Sequence, residues 1–404
     1  MESALAMILA GGHGRRMGIL CQHRAKPILP FAGYSRVIDC TLSNCLHSQV
    51  KDIAVVADYQ RSAVAAYLQS WFLKNDASRN FSILEPRDGS YLGTADAVYQ
   101  NLESVESHDD DTIMVLAGDH IYKMDYRKML AFHRQMGADA TVGVVRVPAE
   151  EAHRFGLVTV DGQAIVDFVE KPAIPQSNLV SMGIYVFNKQ VLMKRLIEDA
   201  ALQHSPHDFG HAILPAMVNR DKVYAYDFDG YWRDIGNPEA YYDANMELLL
   251  PGLQFSLDGS WPILAETNCL PQRSNFQQGS IRNSLVSPGC VIKGEVENSI
   301  ISGNVWVEEK AEVRNSIVMM NSFIGYHSVV DHCILDECVD IGKFCYLGLC
   351  GDASSGKRNV TVVGKGVEVP PFTAIGCNCR VVPNMGPDDF KDQVVLSNSV
   401  LSPR

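Results

Sequence analysis

Four short segments in the last third of the chain constrain its fold more than any other feature. Asn283-Ser-Leu-Val, Asn298-Ser-Ile-Ile, Asn315-Ser-Ile-Val and His332-Cys-Ile-Leu recur at spacings of 15, 17 and 17 residues. Gly-x-x-Val and Gly-x-x-Cys pieces lie between them. Such a period suits about three short strands per turn, each directing one aliphatic side chain inward. It predicts a left-handed parallel β-helix built from hexapeptide units. An ordinary β-sandwich with coincidental turns is the alternative. A β-helix of this kind is a common assembly module, so the expected role is architectural or regulatory.

The first ~250 residues read differently, by the alternation rule for strands and amphipathic helices. Strands are expected at 4–9, 53–56, 112–117, 140–147 and 182–187, with helical stretches at 62–73, 94–102 and 126–136 between them. Asp125 is placed to cap the last helix. This order predicts an α/β fold, with a mostly parallel sheet covered by helices on both faces. Three regions follow: a catalytic domain over 1–250, a linker over 251–280 and the β-helix over 281–404.

Composition narrows the function. A chain of 404 residues, 47% hydrophobic and 20% charged, is long enough for two domains that each bury a core. Its formal net charge of -12 argues against nucleic acid or an anionic membrane as a partner. No apolar run is long enough to span a bilayer, and no leader pattern precedes the first strand, so a cytoplasmic location is expected. The 11 cysteines are scattered, with only Cys377 and Cys379 closely spaced, so reduced thiols are expected.

Chemistry concentrates at two strand ends. The first strand runs into Leu9-Ala-Gly-Gly-His-Gly-Arg-Arg16, where Gly11, Gly12 and Gly14 let backbone N–H groups approach phosphates closely. The loop lacks a Walker Gly-Lys-Ser/Thr, and its spacing does not fit a dinucleotide fingerprint. Lys26, in Arg24-Ala-Lys-Pro27, adds a second cation to a pyrophosphate cradle. The strand over 112–116 ends in Leu116-Ala-Gly-Asp-His-Ile-Tyr122, exposing Asp119 where open α/β sheets bind ligands. A lone carboxylate there suits Mg²⁺ carrying nucleotide phosphates. A cap for a following helix is the plain alternative.

Together these segments resemble the sugar-nucleotide pyrophosphorylases, and among them the ADP-glucose pyrophosphorylases of bacterial glycogen synthesis. The resemblance runs through Arg24–Pro27, Arg36–Asp39, Leu42–Cys45, Gly93–Val98, Leu116–Tyr122, Phe168–Pro172, Ser181–Tyr185, His207–Gly210, Tyr231–Asp234 and Trp261–Ile263. It implies a nucleotidyltransferase sheet followed by a left-handed β-helix, and adenylyl transfer from ATP to glucose 1-phosphate. It implies Asp119 and Asp234 as Mg²⁺ ligands, with Arg16 and Lys26 on the departing pyrophosphate. By the same resemblance Lys171 holds the sugar phosphate and Glu170 takes sugar hydroxyls. Tyr91, Gly156 and Ser181 match further sugar-phosphate contacts; Leu9, Ala10, Gly11, Gly12, Gly14, Gly93 and Thr94 match the nucleotide pocket. His207 and Asp208 look like an acid–base pair, but a phosphate nucleophile needs none, so local hydrogen bonding is expected. The resemblance also implies a homotetramer, or a heteromer with a paralogous subunit, under allosteric control.

The chain departs from that pattern in places. Arg15 replaces a Thr in the first loop, and His23 replaces a frequent Lys. Leu84–Ser90 is shorter than the family's adenine-reading loop, and Ala57-Asp58 stands for a Thr-Gln pair. These changes leave UTP or dTTP as alternative donors, with weakened allostery expected. A non-catalytic regulatory subunit is the reading from a different class.

Overall fold

The computed structural model describes residues 4–87, 89–267, 270–271, 279–349 and 359–403. Residue 88 of the Leu84–Ser90 loop, residues 268–269 and 272–278 of the expected linker and residues 350–358 of the expected β-helix lie outside the described residues. The chain forms two compact units. The first takes Met1–His13 with Ile38–Trp232, and the second takes Gly14–Val37 with Arg233–Arg404.

The first unit is built on nine strands. They are β1 (Leu5–Leu9), β2 (Asp52–Val56), β3 (Asn80–Leu84), β4 (Thr112–Ala117), β5 (Ala140–Arg146), β6 (Gly156–Asp161), β7 (Ala164–Glu170), β8 (Leu179–Asn188) and β9 (Val223–Asp227). Their order is β3-β2-β1-β4-β8-β5-β9-β7-β6. The first four pair parallel, as do β5 and β9. β8 runs antiparallel to both its neighbours, and β7 antiparallel to β6 and β9, so the sheet is more mixed than expected. The reason is physical. β8 buries nearly every residue, and a strand buried on both faces is equally apolar whichever way it runs.

Helices Arg61–Asn75 and Tyr126–Gln135 form where the periodicity places them. Asp125 caps the second, its Oδ1 accepting the Arg127 amide at 3.1 Å. The stretch 94–102 instead splits into Thr94–Tyr99 and a second helix starting at Leu102. Asn101 sits at the break and donates its side-chain amide back to the Ala97 carbonyl at 2.8 Å, the local competition that disfavours Asn inside helices.

In the second unit the repeat becomes a three-sided parallel β-helix. Two ribbons of seven described strands and one of five pair in parallel, coil upon coil. Asn283, Asn298, Asn315 and His332, the repeat's first residues, have φ of 42, 46, 45 and 50° and mark one corner. Asn enters the left-handed region at less cost than other residues with a Cβ, which explains the choice. Asn283 donates its side-chain amide to Asn298 at 2.8 Å. The following serines point inward. Ser284, Ser299 and Ser316 are buried, and each hydroxyl accepts the amide one coil on, at 3.0, 3.1 and 3.1 Å. Val286, Ile301, Val318 and Leu335 then stack in the core, at most 1% exposed. A sandwich has no such ladder.

One expectation about sulfur is corrected. Eight described cysteines are free thiols, but Cys377 is disulfide-bonded. Spacing along the chain does not reveal that bond. Among the described residues, no helix is long and apolar enough to cross a membrane.

Candidate active site

The loop that leaves β1 is fixed by the ends of β1 and its neighbours. Gly118 donates its amide to the Leu9 carbonyl at 3.1 Å, and Ala10 donates to Val56 at 2.8 Å. The turn leaving β1 is thereby pinned between β2 and β4. A Cβ on Gly11 would lie 3.2 Å from the Asp58 Cβ, whereas one on Gly12 would meet nothing within 4 Å. Gly11 packs closely on Asp58, and Gly12 faces open space. Asp58 accepts the Tyr91 amide at 3.3 Å, and the Tyr91 hydroxyl accepts from Asn101 at 3.0 Å. Burial raises the Tyr91 phenol, so it remains protonated.

Asp119 follows Gly118 directly, and a Cβ on that glycine would stand 3.0 Å from the Leu9 carbonyl oxygen. Only glycine lets the β4 end lie so close to β1. The Asp119 side chain is partly exposed, with His120 Nε2 3.6 Å away. It leads into a short strand, His120–Tyr122, and caps no helix. His120 packs edge-on against Trp232 at 5.3 Å, and Trp232 in turn against Phe155 at 5.2 Å.

A second cluster gathers where β7 ends beside the start of β6. Glu170 is paired in register with Gly156. A Cβ on Gly156 would be 2.6 Å from Glu170 Oε2, and one on Gly210 would be 2.5 Å from it. The carboxylate therefore lies in a notch that two glycines leave open. The Lys171 ammonium pairs with it, although Lys171 itself sits at φ 46°, a costly conformation for a residue with a Cβ. The Lys171 amide donates to Phe155 at 3.0 Å, holding that turn. Ser181 is buried, accepts the Gly183 amide at 3.2 Å and donates to the Tyr185 hydroxyl at 3.3 Å. Burial pushes the Tyr185 phenol well up, with Glu170 and Asp208 adding to it.

Thr94 lies next to the loop 205–208. Its hydroxyl donates to Asp208 at 2.8 Å and accepts the Phe209 amide at 3.0 Å. A Cβ on Gly93 would fall 2.3 Å from the His207 carbonyl oxygen, which itself accepts the Ala95 and Asp96 amides at 2.9 and 3.1 Å. Burial alone would raise Asp208, but Thr94 and His211 hold it below the usual carboxylate range. His207 pairs with Asp199 at 2.8 Å. Both residues thus serve local bonding, as the sequence indicates. Sequence reasoning passed over Asp58 and Gly210 and weighed Asp208 only as a local bonding partner. Asp208 had a legible signal as the cap of the turn at Phe209–Ile213, and the Gly210 contact had none.

Arg16, Lys26 and Asp234, of the expected site residues, belong to the second unit. Gly14, at φ 60°, begins a turn into Arg15–Cys21, where Arg15 and Arg16 are exposed. A Cβ on Gly14 would lie 3.2 Å from the Lys26 Cβ. Lys26 is only 6% exposed, and its Nζ is 3.6 Å from Asp234 Oδ1. A buried ammonium needs a partner of this kind. Pro27 fixes the short 3₁₀ turn Lys26–Ile28, so the lysine is held from both sides. Asp234 closes the strand Trp232–Asp234. Within a unit the structure brings together Lys26 with Asp234 and Gly14, Glu170 with Lys171 and Gly156, and Gly11 with Tyr91; Asp119 and Asp234 belong to different units.

The family model for nucleotidyl transferase matches residues 5–250. A glucose-1-phosphate adenylyltransferase of Pseudothermotoga lettingae is 40% identical, with 99% of each chain covered. Those of Thermomicrobium roseum and Acetivibrio thermocellus are 40% and 38% identical, covering 100% and 96% of this chain and 98% and 95% of their own. The chain belongs to the glucose-1-phosphate adenylyltransferase family. A second model, for a GlmU-like C-terminal hexapeptide domain, matches residues 270–369, which identifies the three-sided coil as the left-handed kind. Membership in the glucose-1-phosphate adenylyltransferase family therefore extends through both units.

Proposed function

We propose that the chain transfers the adenylyl group of ATP to glucose 1-phosphate, giving ADP-glucose and pyrophosphate for glycogen or a related α-glucan. A phosphate oxygen of glucose 1-phosphate forms a bond to the α-phosphorus, and the bond from that phosphorus to the bridging β-oxygen breaks. The nucleophile is already an anion, so no proton has to be moved. Catalysis is then alignment and charge neutralisation. The observation that carries this reading is the Glu170–Lys171 notch, an acceptor for sugar hydroxyls beside a cation for the sugar phosphate.

In this reading Lys171 holds the sugar phosphate, while Tyr91, Gly156 and Ser181 shape its pocket. The backbone from Leu9 to Gly14, with Gly93 and Thr94, receives the nucleotide. Lys26 and Arg16 take the charge of the departing pyrophosphate. Asp119 and Asp234 are hard oxygen donors suited to Mg²⁺, which on binding neutralises phosphate charge. The division at 1–250, 251–280 and 281–404, a cytoplasmic homotetramer and altered effector control belong to the same proposal.

The test is pyrophosphate release from the purified chain with glucose 1-phosphate, Mg²⁺ and ATP, UTP or dTTP in parallel. Release with ATP that is lost in Asp119→Ala is expected. Preference for another nucleotide would keep the mechanism and change the donor, which the short Leu84–Ser90 loop makes the specific alternative. Silence with every nucleotide would favour the regulatory-subunit reading.

A further inference from the structure

The second unit contains a charge network outside the assigned site, built on two buried carboxylates and a buried arginine. Arg24 is 7% exposed, and its Nη2 lies 2.7 Å from Asp336 Oδ1 and 3.1 Å from Glu337 Oε2. The other Glu337 oxygen is 2.9 Å from Arg36 Nη1, and Lys365 Nζ approaches Oε2 at 3.0 Å. Asp336 and Glu337 sit on the β-helix coil just after Leu335; Arg24 and Arg36 sit in the segment 14–37. Arg36 also donates to the Ile28 carbonyl at 3.2 Å, the end of the 3₁₀ turn that begins with Lys26.

Glu337 therefore grips the Lys26 turn on both sides, through Arg24 two residues before it and Arg36 at its end. We propose that Glu337 is a positioning residue for Lys26, so that a coil of the β-helix sets the geometry of the pyrophosphate cation. The proposal rests on the assignment of Lys26 to pyrophosphate made above. Buried ion pairs are poor stability devices, since desolvation offsets most of their attraction. Three cations converging on two carboxylates need another reason to be there, and orientation of the turn supplies one. A displacement near 1 Å at a positioning group typically costs about a hundredfold in rate.

The test is a double-mutant cycle on the full chain, read in the pyrophosphorolysis direction with ADP-glucose and pyrophosphate. Glu337→Gln keeps the volume and removes the charge. Expected is a tenfold to hundredfold loss in kcat/KM for pyrophosphate, a loss that shrinks to under threefold in a Lys26→Ala background. In a Lys171→Ala background the full loss should persist, because that lysine belongs to the other unit. A merely structural Glu337 would cost the same factor in all three backgrounds, and that result would overturn the proposal. Lys26→Ala without effect would instead remove the assignment of Lys26, and the proposal with it. Should Glu337→Gln fold poorly, Glu337→Asp, which keeps the charge one methylene back, carries the same cycle.

Discussion

Gly210→Ala is the substitution whose effect follows most directly from the coordinates. The new Cβ would stand 2.5 Å from Glu170 Oε2, 2.8 Å from Cδ and 3.3 Å from Cγ. Restoring ordinary contact requires the carboxylate to retreat by about 0.9 Å. That exceeds the slack in a hydrogen bond, whose heavy-atom separation spans only about 2.7–3.2 Å. A charge-assisted bond from a sugar hydroxyl is then lost, worth about 1.5–3 kcal/mol, or roughly tenfold to hundredfold. The yielding atoms end a flexible side chain, so the stability cost should stay near 1 kcal/mol. Steady-state kinetics should show kcat/KM for glucose 1-phosphate falling by that factor with KM for ATP nearly unchanged. In a Glu170→Gln background the further loss should be small. A folded Gly210→Ala enzyme with unaltered glucose 1-phosphate kinetics would refute the notch as the sugar site.

Three further outcomes follow from other parts of the structure. His133 is buried, and that burial, with Arg134 beside it, lowers its pKa to about 4. The unfolded chain thus binds the extra proton first, and about 3 kcal/mol of stability is lost as pH falls from about 6.5 to 4. His133→Gln should flatten that part of a urea-unfolding pH profile, and an unchanged slope would contradict the assignment. Burial would raise Glu337, but Arg24, Arg36 and Lys365 outweigh it and hold the carboxyl at about 2. Its contribution is therefore present above about pH 4.5 and lost on acidification towards 2, while Asp336, raised by burial, offsets part of it. Glu337→Gln should make acid unfolding less steep in that window, by circular dichroism. Asn298→Ala forces a Cβ residue without a helpful amide to φ 46° and removes the bond from Asn283, costing about 1–2 kcal/mol. Asn298→Gly should recover the backbone share, as thermal melts would register.

Much of this was readable in advance where local physics decides. β1 and β4 lie within a residue of their expected bounds because an apolar run ended by a turn admits few alternatives. The Asn-Ser pairs announced the β-helix because a left-handed corner and an inward hydroxyl both demand particular residues. The direction of β8 was not readable, since burial carries no sense of direction. Nor was the membership of 14–37 in the second unit: Arg24 and Glu337 are 313 residues apart, and no local signal spans that distance. Lys26 and Asp234 carry separate expected roles, on pyrophosphate and on Mg²⁺, and their mutual ion pair needed the fold. Gly210 looked like part of a motif and turned out to be the absence of a side chain against Glu170.

The early capture of residues 14–37 by a unit completed only at the end of the chain has a consequence for synthesis. At about 5–20 residues per second, Arg24 leaves the ribosome roughly 15–60 s before Glu337 does. Throughout that interval β1 and the strands beside it can already assemble, while the inserted segment carries Arg24 and Arg36 without the Asp336 and Glu337 carboxylates they pair with. Arg24 and Arg36 therefore wait for a coil in the middle of the β-helix before their charges are paired. A truncated product ending before residue 336 would lack the carboxylates that seat Lys26.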